Sequence, residues 1–231
     1  MTDSAVRELA DDPSSRKRFF KMMGGAGAVS AFGVLLAACG DDDKKKSSSG
    51  STSSSTSAED NKSDLEIVNY ALTLEYLEAE FYKQVIASGQ IKDRAVIEIA
   101  KKFGQSEQEH VDALKATATK LGGKPVAKPK TAFESVIKKG PKTILETAAT
   151  VENLGAAAYL GQAGNIRNKE VLAAALAIHS VEARHAAALN QLIGRGFGGK
   201  GGLEGSIPDG AFGKPMDKAA VLAAAQPFIA S

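Results

Sequence analysis

The residues best suited to chemistry in this chain are two of its three histidines, each of which closes an E-x-x-H: Glu107 with His110, and Glu182 with His185. A spacing of three puts a carboxylate and an imidazole on one face of a helix, where both reach the same cation. Each pair falls on a stripe that is otherwise apolar, with Ala100, Phe103, Leu114 and Leu121 around the first and Val171, Ala175, Ile178, Leu189 and Leu192 around the second. Charges on a core-facing stripe are costly unless something compensates them, and a metal ion is a compensation that both residue types serve.

Two further stripes supply carboxylates. Glu75 sits with Val68, Leu72, Ala79 and Tyr82, and Glu152 with Leu145, Ala149, Ala156 and Tyr159. Glu75 precedes Glu107 by 32 residues and Glu152 precedes Glu182 by 30, and a tyrosine follows each of these two glutamates by seven. The chain thus reads as two copies of one hairpin, each giving Glu plus E-x-x-H, folded face to face around a pseudo-two-fold axis. Four carboxylates and two imidazoles are a hard, mostly oxygen set that suits two metal ions, iron or manganese. Glu78 lies on a neighbouring apolar stripe with Ala71, Leu74, Phe81 and Val85. It is the alternative to Glu75, which its match to Glu152 favours. Tyr82 and Tyr159 read as core residues with bonded hydroxyls in preference to redox relays. His179, three residues before Glu182, reads as a satisfied structural histidine or as a support behind the ligands.

Positioning such a set takes four helices. Ser63-Asp64-Leu65-Glu66 is a capping-box sequence, which predicts a first helix from about Asp64 to Ala87. Gly89 breaks the pattern, and a second helix follows from about Lys92 to Leu121, closed by Gly122-Gly123 and Pro125. A long link with one short helical turn near 132–138 leads to Gly140-Pro141, which opens a third helix running to about Ala163. Asn168 is a good N-cap for a fourth, from about Lys169 to Ile193. The expectation is an all-α fold: a four-helix bundle, residues 63–194, of two antiparallel hairpins joined by a long crossover. A Gly-rich segment and C-terminal tail, 195–231, should then lie along the bundle.

Composition removes several other functions. Among 231 residues, 29 basic and 27 acidic side chains leave a net charge of +2, and aromatics are 6%. With no long Lys/Arg run there is neither a basic field nor a stacking platform, so nucleic acid is not an expected partner. One cysteine excludes an internal disulfide framework, a Cys-based zinc site and an iron–sulfur cluster. The stretch from Gly194 to Gly201 matches G-x-G-x-x-G, but it follows a helix instead of a strand, and Lys200 is not followed by Ser or Thr.

The first residues read as an address. Ser15-Arg16-Lys17-Arg18-Phe19-Phe20-Lys21 precedes an apolar run from Met22 to Ala38, too short and too weakly hydrophobic for a permanent span. The run ends in Leu36-Ala37-Ala38-Cys39, which resembles a lipoprotein lipobox, and the basic cluster resembles a twin-arginine export signal with Lys17 in place of the second arginine. The expectation is a signal peptide over 1–38, lipidation of Cys39, and a Ser/Thr-rich disordered tether over 39–62. Such a tether reaches about 25–30 Å. The protein would then be exported and held through its lipid at the outer face of the bacterial cytoplasmic membrane.

From about Asp64 to Ile193 the chain resembles the ferritin-like superfamily, and the paired E-x-x-H is the specific part of that resemblance. The strings from Tyr70 to Tyr82 and from Ile207 to Phe212 resemble the branch containing desiccation-related proteins. The resemblance implies that Glu107 and Glu182 bridge two metal ions, that His110 and His185 bind one each, and that Glu75 and Glu152 are terminal ligands. It implies a reaction with a small oxidant, dioxygen or peroxide, or with a metal ion as substrate. The competing expectation is a non-catalytic, stress-protective surface protein. Oligomeric state, metal identity and electron donor do not follow from the sequence.

Overall fold

The computed structural model of the chain describes residues 57–196 and 212–230. The expected signal peptide, the lipidated Cys39, the Ser/Thr tract before residue 57 and the Ile207–Ala211 string lie outside them. Six α-helices occur among the described residues: α1 Ala58–Ser88, α2 Arg94–Lys120, α3 Glu134–Lys138, α4 Pro141–Ala163, α5 Lys169–Leu192 and α6 Lys218–Ala225. None of them is long and apolar enough to cross a membrane.

Local chemistry explains most of the helix ends. Asp93 and Asn168 cap α2 and α5, each accepting from the two backbone N–H groups that follow one residue on. Pro141 opens α4 at a position where its missing N–H costs nothing. Gly89, at φ 61°, ends α1 in the left-handed conformation that other residues resist.

The start of α1 differs from expectation. Its capping box is Ser57 with Asp60, each side chain bonding the other's backbone, so the helix begins six residues before Asp64. Residues 58–62 therefore continue the helix into the stretch whose composition suggested tether. Asp64 serves a different end. Fully buried, it accepts from the backbone N–H groups of Arg167 (2.9 Å) and Asn168 (2.6 Å), and so joins the first turns of α1 to the loop between α4 and α5.

The helices pack as two antiparallel hairpins. Asn69, early in α1, holds Lys124 O and Val126 N just beyond the end of α2. Asn153 of α4 and Asn190 of α5 exchange reciprocal side-chain amide bonds of 2.9 and 3.2 Å. The crossover between hairpins runs from Leu121 to Gly140 and contains α3. A continuous core of Leu74, Leu77, Phe81, Ile144, Leu154 and Leu189 fills the space between hairpins, and Phe133 of the crossover enters it fully buried.

The tail is built into this core. Val221 and Ala225 of α6 are buried, Phe228 stacks on Phe133 at 5.3 Å, and Ile229 forms an isolated antiparallel bridge with Thr131. Met216 N–H donates to Ala157 O, and its carbonyl lies so close to α4 that a Cβ at Gly161 would stand 1.9 Å from the oxygen.

Candidate metal centre

The middle of the bundle holds five glutamates and two histidines. Glu75, Glu107, Glu152 and Glu182 are fully buried, Glu78 is nearly so, and His110 and His185 keep 8% and 7% of their surface. Glu75 and Glu78 come from α1, Glu107 and His110 from α2, Glu152 from α4, and Glu182 and His185 from α5. Their ligand atoms form two overlapping groups, each with one atom per residue and all atoms within 4.8 Å of one another. One is Glu75, Glu107, His110 and Glu182; the other is Glu107, Glu152, Glu182 and His185. Glu107 and Glu182 belong to both groups, Glu75 to the first and Glu152 to the second, and Glu78 to neither.

The imidazoles face inward through Nδ1. His110 Nδ1 is 2.9 Å from Glu107, 3.1 Å from Glu182 and 3.2 Å from Glu75. His185 Nδ1 is 2.8 Å from Glu107 and 3.2 Å from Glu152. One nitrogen carries at most one proton, so it cannot serve three carboxylates. Glu107 Oε1 and Glu182 Oε1 have only a share of these ring nitrogens, and Glu182 Oε2 and Glu78 Oε2 are buried with no polar partner. Buried carboxylate oxygens so poorly served are what a hard cation would satisfy.

Residues around the groups hold them in place, and the support crosses between hairpins. Tyr82 of the first hairpin donates to Glu152 Oε1, and Tyr159 of the second donates to Glu75 Oε1, both at 2.5 Å. The two tyrosines are thus buried residues with bonded hydroxyls. Phe103 stacks on the His185 ring at 3.8 Å and 19° and sets its plane. His179 stands apart and donates from Nδ1 to Ala156 O on α4. Gly155 is the residue that sequence reasoning passed over. A Cβ there would lie 2.8 Å from Glu182 Oε2 and 2.9 Å from Glu78 Oε1, so its bare backbone makes room for both carboxylates. The available signal is numerical: the offset of 77 that carries Glu75 to Glu152 and Tyr82 to Tyr159 carries Glu78 to Gly155.

Electrostatics separates the ligands. Burial carries Glu75 up to about 7 and, together with neighbouring carboxylates, carries Glu78 and Glu182 well above the usual range. Burial likewise raises Glu152. Burial opposes the charge of Glu107 as well, but the two imidazoles beside it prevail and hold it at about 2. Burial would lower both histidines, yet the surrounding carboxylates raise them, His185 to about 9.

These shifts predict the pH dependence of the metal-free protein. Glu75 contributes stability that is complete below its ordinary 4.5 and is lost as pH rises through about 7. His185 behaves alike, from its ordinary 6.5 to about 9, whereas the contribution of Glu107 is lost only as pH falls from 4.5 towards about 2. With chelator present, the thermal midpoint should therefore fall between pH 5 and about 9. With iron(II) or manganese(II) replacing the protons, it should not. Parallel midpoints in the two series would count against a cation-binding cluster.

The chain belongs to the ferritin-like family: the model of the ferritin-like domain matches residues 63–195, which take in α1 from its second turn, the whole of α2, α4 and α5, and the whole cluster. No curated protein matches it in sequence. The fold is all-α and ferritin-like, and its buried carboxylate and histidine groups are able to hold metal ions.

Proposed function

We propose that this protein holds two metal ions, iron or manganese, and uses them to react with dioxygen or peroxide. Glu75 and His110 serve one ion, Glu152 and His185 the other, and Glu107 and Glu182 bridge them. The observation that carries the reading is the overlap of the two four-residue groups in their two shared glutamates. Such a pair of ions, when bound, supplies two electrons at one place. The chain's own residues fix the carboxylates through Tyr82 and Tyr159, orient His185 through Phe103, and keep bulk water out. In this reading Cys39 carries the lipid, and the domain stands at the outer face of the cytoplasmic membrane on its tether. The lipobox resemblance supports that placement.

The test is elemental analysis of the purified full chain supplied with iron and manganese, followed by measurement of dioxygen and peroxide consumption. About two ions per chain with metal-dependent consumption is the expected result. Two ions that raise the thermal midpoint without consuming either oxidant would assign the protein to a structural, stress-protective role, in keeping with its resemblance to desiccation-related proteins. Absence of bound metal would overturn the reading.

A further inference from the structure

Two small cavities, each of about 20 Å³, lie at opposite ends of the glutamate cluster. They are one cavity made twice. The offset of 77 between α1 and α4 carries Val68 and Ala71 of the first to Leu145 and Ala148 of the second. An offset of 75 between α2 and α5 carries Val96 and Ala100 of the second to Val171 and Ala175 of the first. Leu114 and Leu189, which line one cavity each, are related by the same 75.

Each cavity lies about one helical turn along the bundle from one ligand group. In the first, Ala71 lies one turn before Glu75, Leu114 lies one turn beyond His110, and the wall includes Tyr159, which holds Glu75. In the second, Ala148 lies one turn before Glu152, Leu189 one turn beyond His185, and the wall includes Tyr82, which holds Glu152.

The linings are aliphatic and aromatic, and their hydroxyls are mostly spent. Tyr82 and Tyr159 already donate to carboxylates, and Thr117 donates to Ala113 O at 2.8 Å. Gln162 and Tyr70 are the remaining polar residues, both in the first cavity, where the buried Tyr70 hydroxyl has no hydrogen-bond partner. Water or hydrogen peroxide finds at most these two further groups there and forfeits its other hydrogen bonds, and the second cavity offers neither of them, whereas a diatomic gas has none to lose. A volume of about 20 Å³ holds one or two molecules of that size.

We propose that these paired cavities admit dioxygen and pass it to the ligand groups, so that dioxygen, and not peroxide, is the oxidant for which the centre is arranged. This rests on the functional reading above and names its substrate.

The first experiment uses the metal-free full chain under xenon, followed by the xenon-129 signal in solution or by the xenon sites in pressurised crystals. Xenon should occupy both cavities, leave the first in Ala71→Leu and leave the second in Ala148→Leu. Where leucine prevents folding, as read by circular dichroism, Ala71→Val and Ala148→Val take its place. The second experiment uses iron(II)-loaded protein. The double variant should oxidise its iron about tenfold more slowly in air and at an unchanged rate with peroxide. Absence of xenon from the wild-type cavities would overturn the proposal, as would equal slowing with both oxidants. Wild-type protein that oxidises bound iron with peroxide but not with air would overturn it too, and would leave the dinuclear reading intact. Xenon occupancy in a protein that binds no metal would overturn the dinuclear reading and, with it, the assignment of dioxygen as its oxidant.

Discussion

If the proposed dinuclear site forms, Glu182→Ala will bring the metal content of the chain from about two ions towards none, whereas Glu75→Ala will bring it to about one, since a shared ligand would serve both ions. The difference follows from membership: Glu182 and Glu107 stand in both ligand groups, Glu75 in one. Stability should move in opposite directions in the two forms of the protein. In the metal-free chain Glu182 Oε2 has no polar partner, Oε1 only shares His110 Nδ1 with two other carboxylates, and burial with the carboxylates of Glu107, Glu75 and Glu152 pushes the Glu182 pKa far up. Removing it relieves a desolvated group, so the chelated variant should unfold at or above the wild-type midpoint. In the metal-loaded protein the same change removes the ions and with them the stabilisation that binding confers. The measurements are elemental analysis and thermal unfolding with and without chelator. Equal metal loss from Glu75→Ala and Glu182→Ala would refute the bridging assignment.

Asp64→Ala will lower the thermal midpoint substantially, although the residue lies outside the cluster. The fully buried carboxylate accepts from the N–H groups of Arg167 and Asn168, and alanine leaves both donors without a partner. Orphaning two such donors costs about 3 kcal/mol, which for a domain of this size is a drop of roughly 6–12 °C. Asp64→Asn, which keeps one acceptor oxygen, should lose about half as much. A midpoint for Asp64→Ala within about 2 °C of wild type would show that water replaces the carboxylate at little cost.

The same residue marks the boundary between what is legible in the sequence and what is not. Ser63-Asp64-Leu65-Glu66 has the local form of a capping box, and only its partners, more than a hundred residues away, show that Asp64 belongs to a long-range joint. Where a signal is local it reads well: Gly89, Asn168 and Pro141 stand at helix ends for reasons contained in a few residues. The cluster was legible for a related reason. A charged residue on an apolar stripe is conspicuous at any separation, and Glu75, Glu107, His110, Glu152, Glu182 and His185 stand out on that ground. The recurrence of Tyr82 and Tyr159 was legible too, but their crossed pairing was not, because a seven-residue spacing within one helix says nothing about which hairpin receives the hydroxyl. The tail was the least legible element. Val221 is buried by contacts with a core assembled from the rest of the chain, and eight residues rich in alanine carry little periodicity of their own.

The pairing of Glu78 with Gly155 limits how symmetric the two halves are able to be. Glu78 Oε1 lies 2.9 Å from the point where a Cβ at position 155 would stand, so the carboxylate needs a glycine opposite it. A homodimer of two identical hairpins would carry the same residue at both equivalent places. Two glutamates would contend for one space, and two glycines would leave it empty. Two halves in one covalent chain are not bound by that constraint: one supplies a side chain and the other the space for it. At this position the two halves carry complementary residues that two identical hairpins could not.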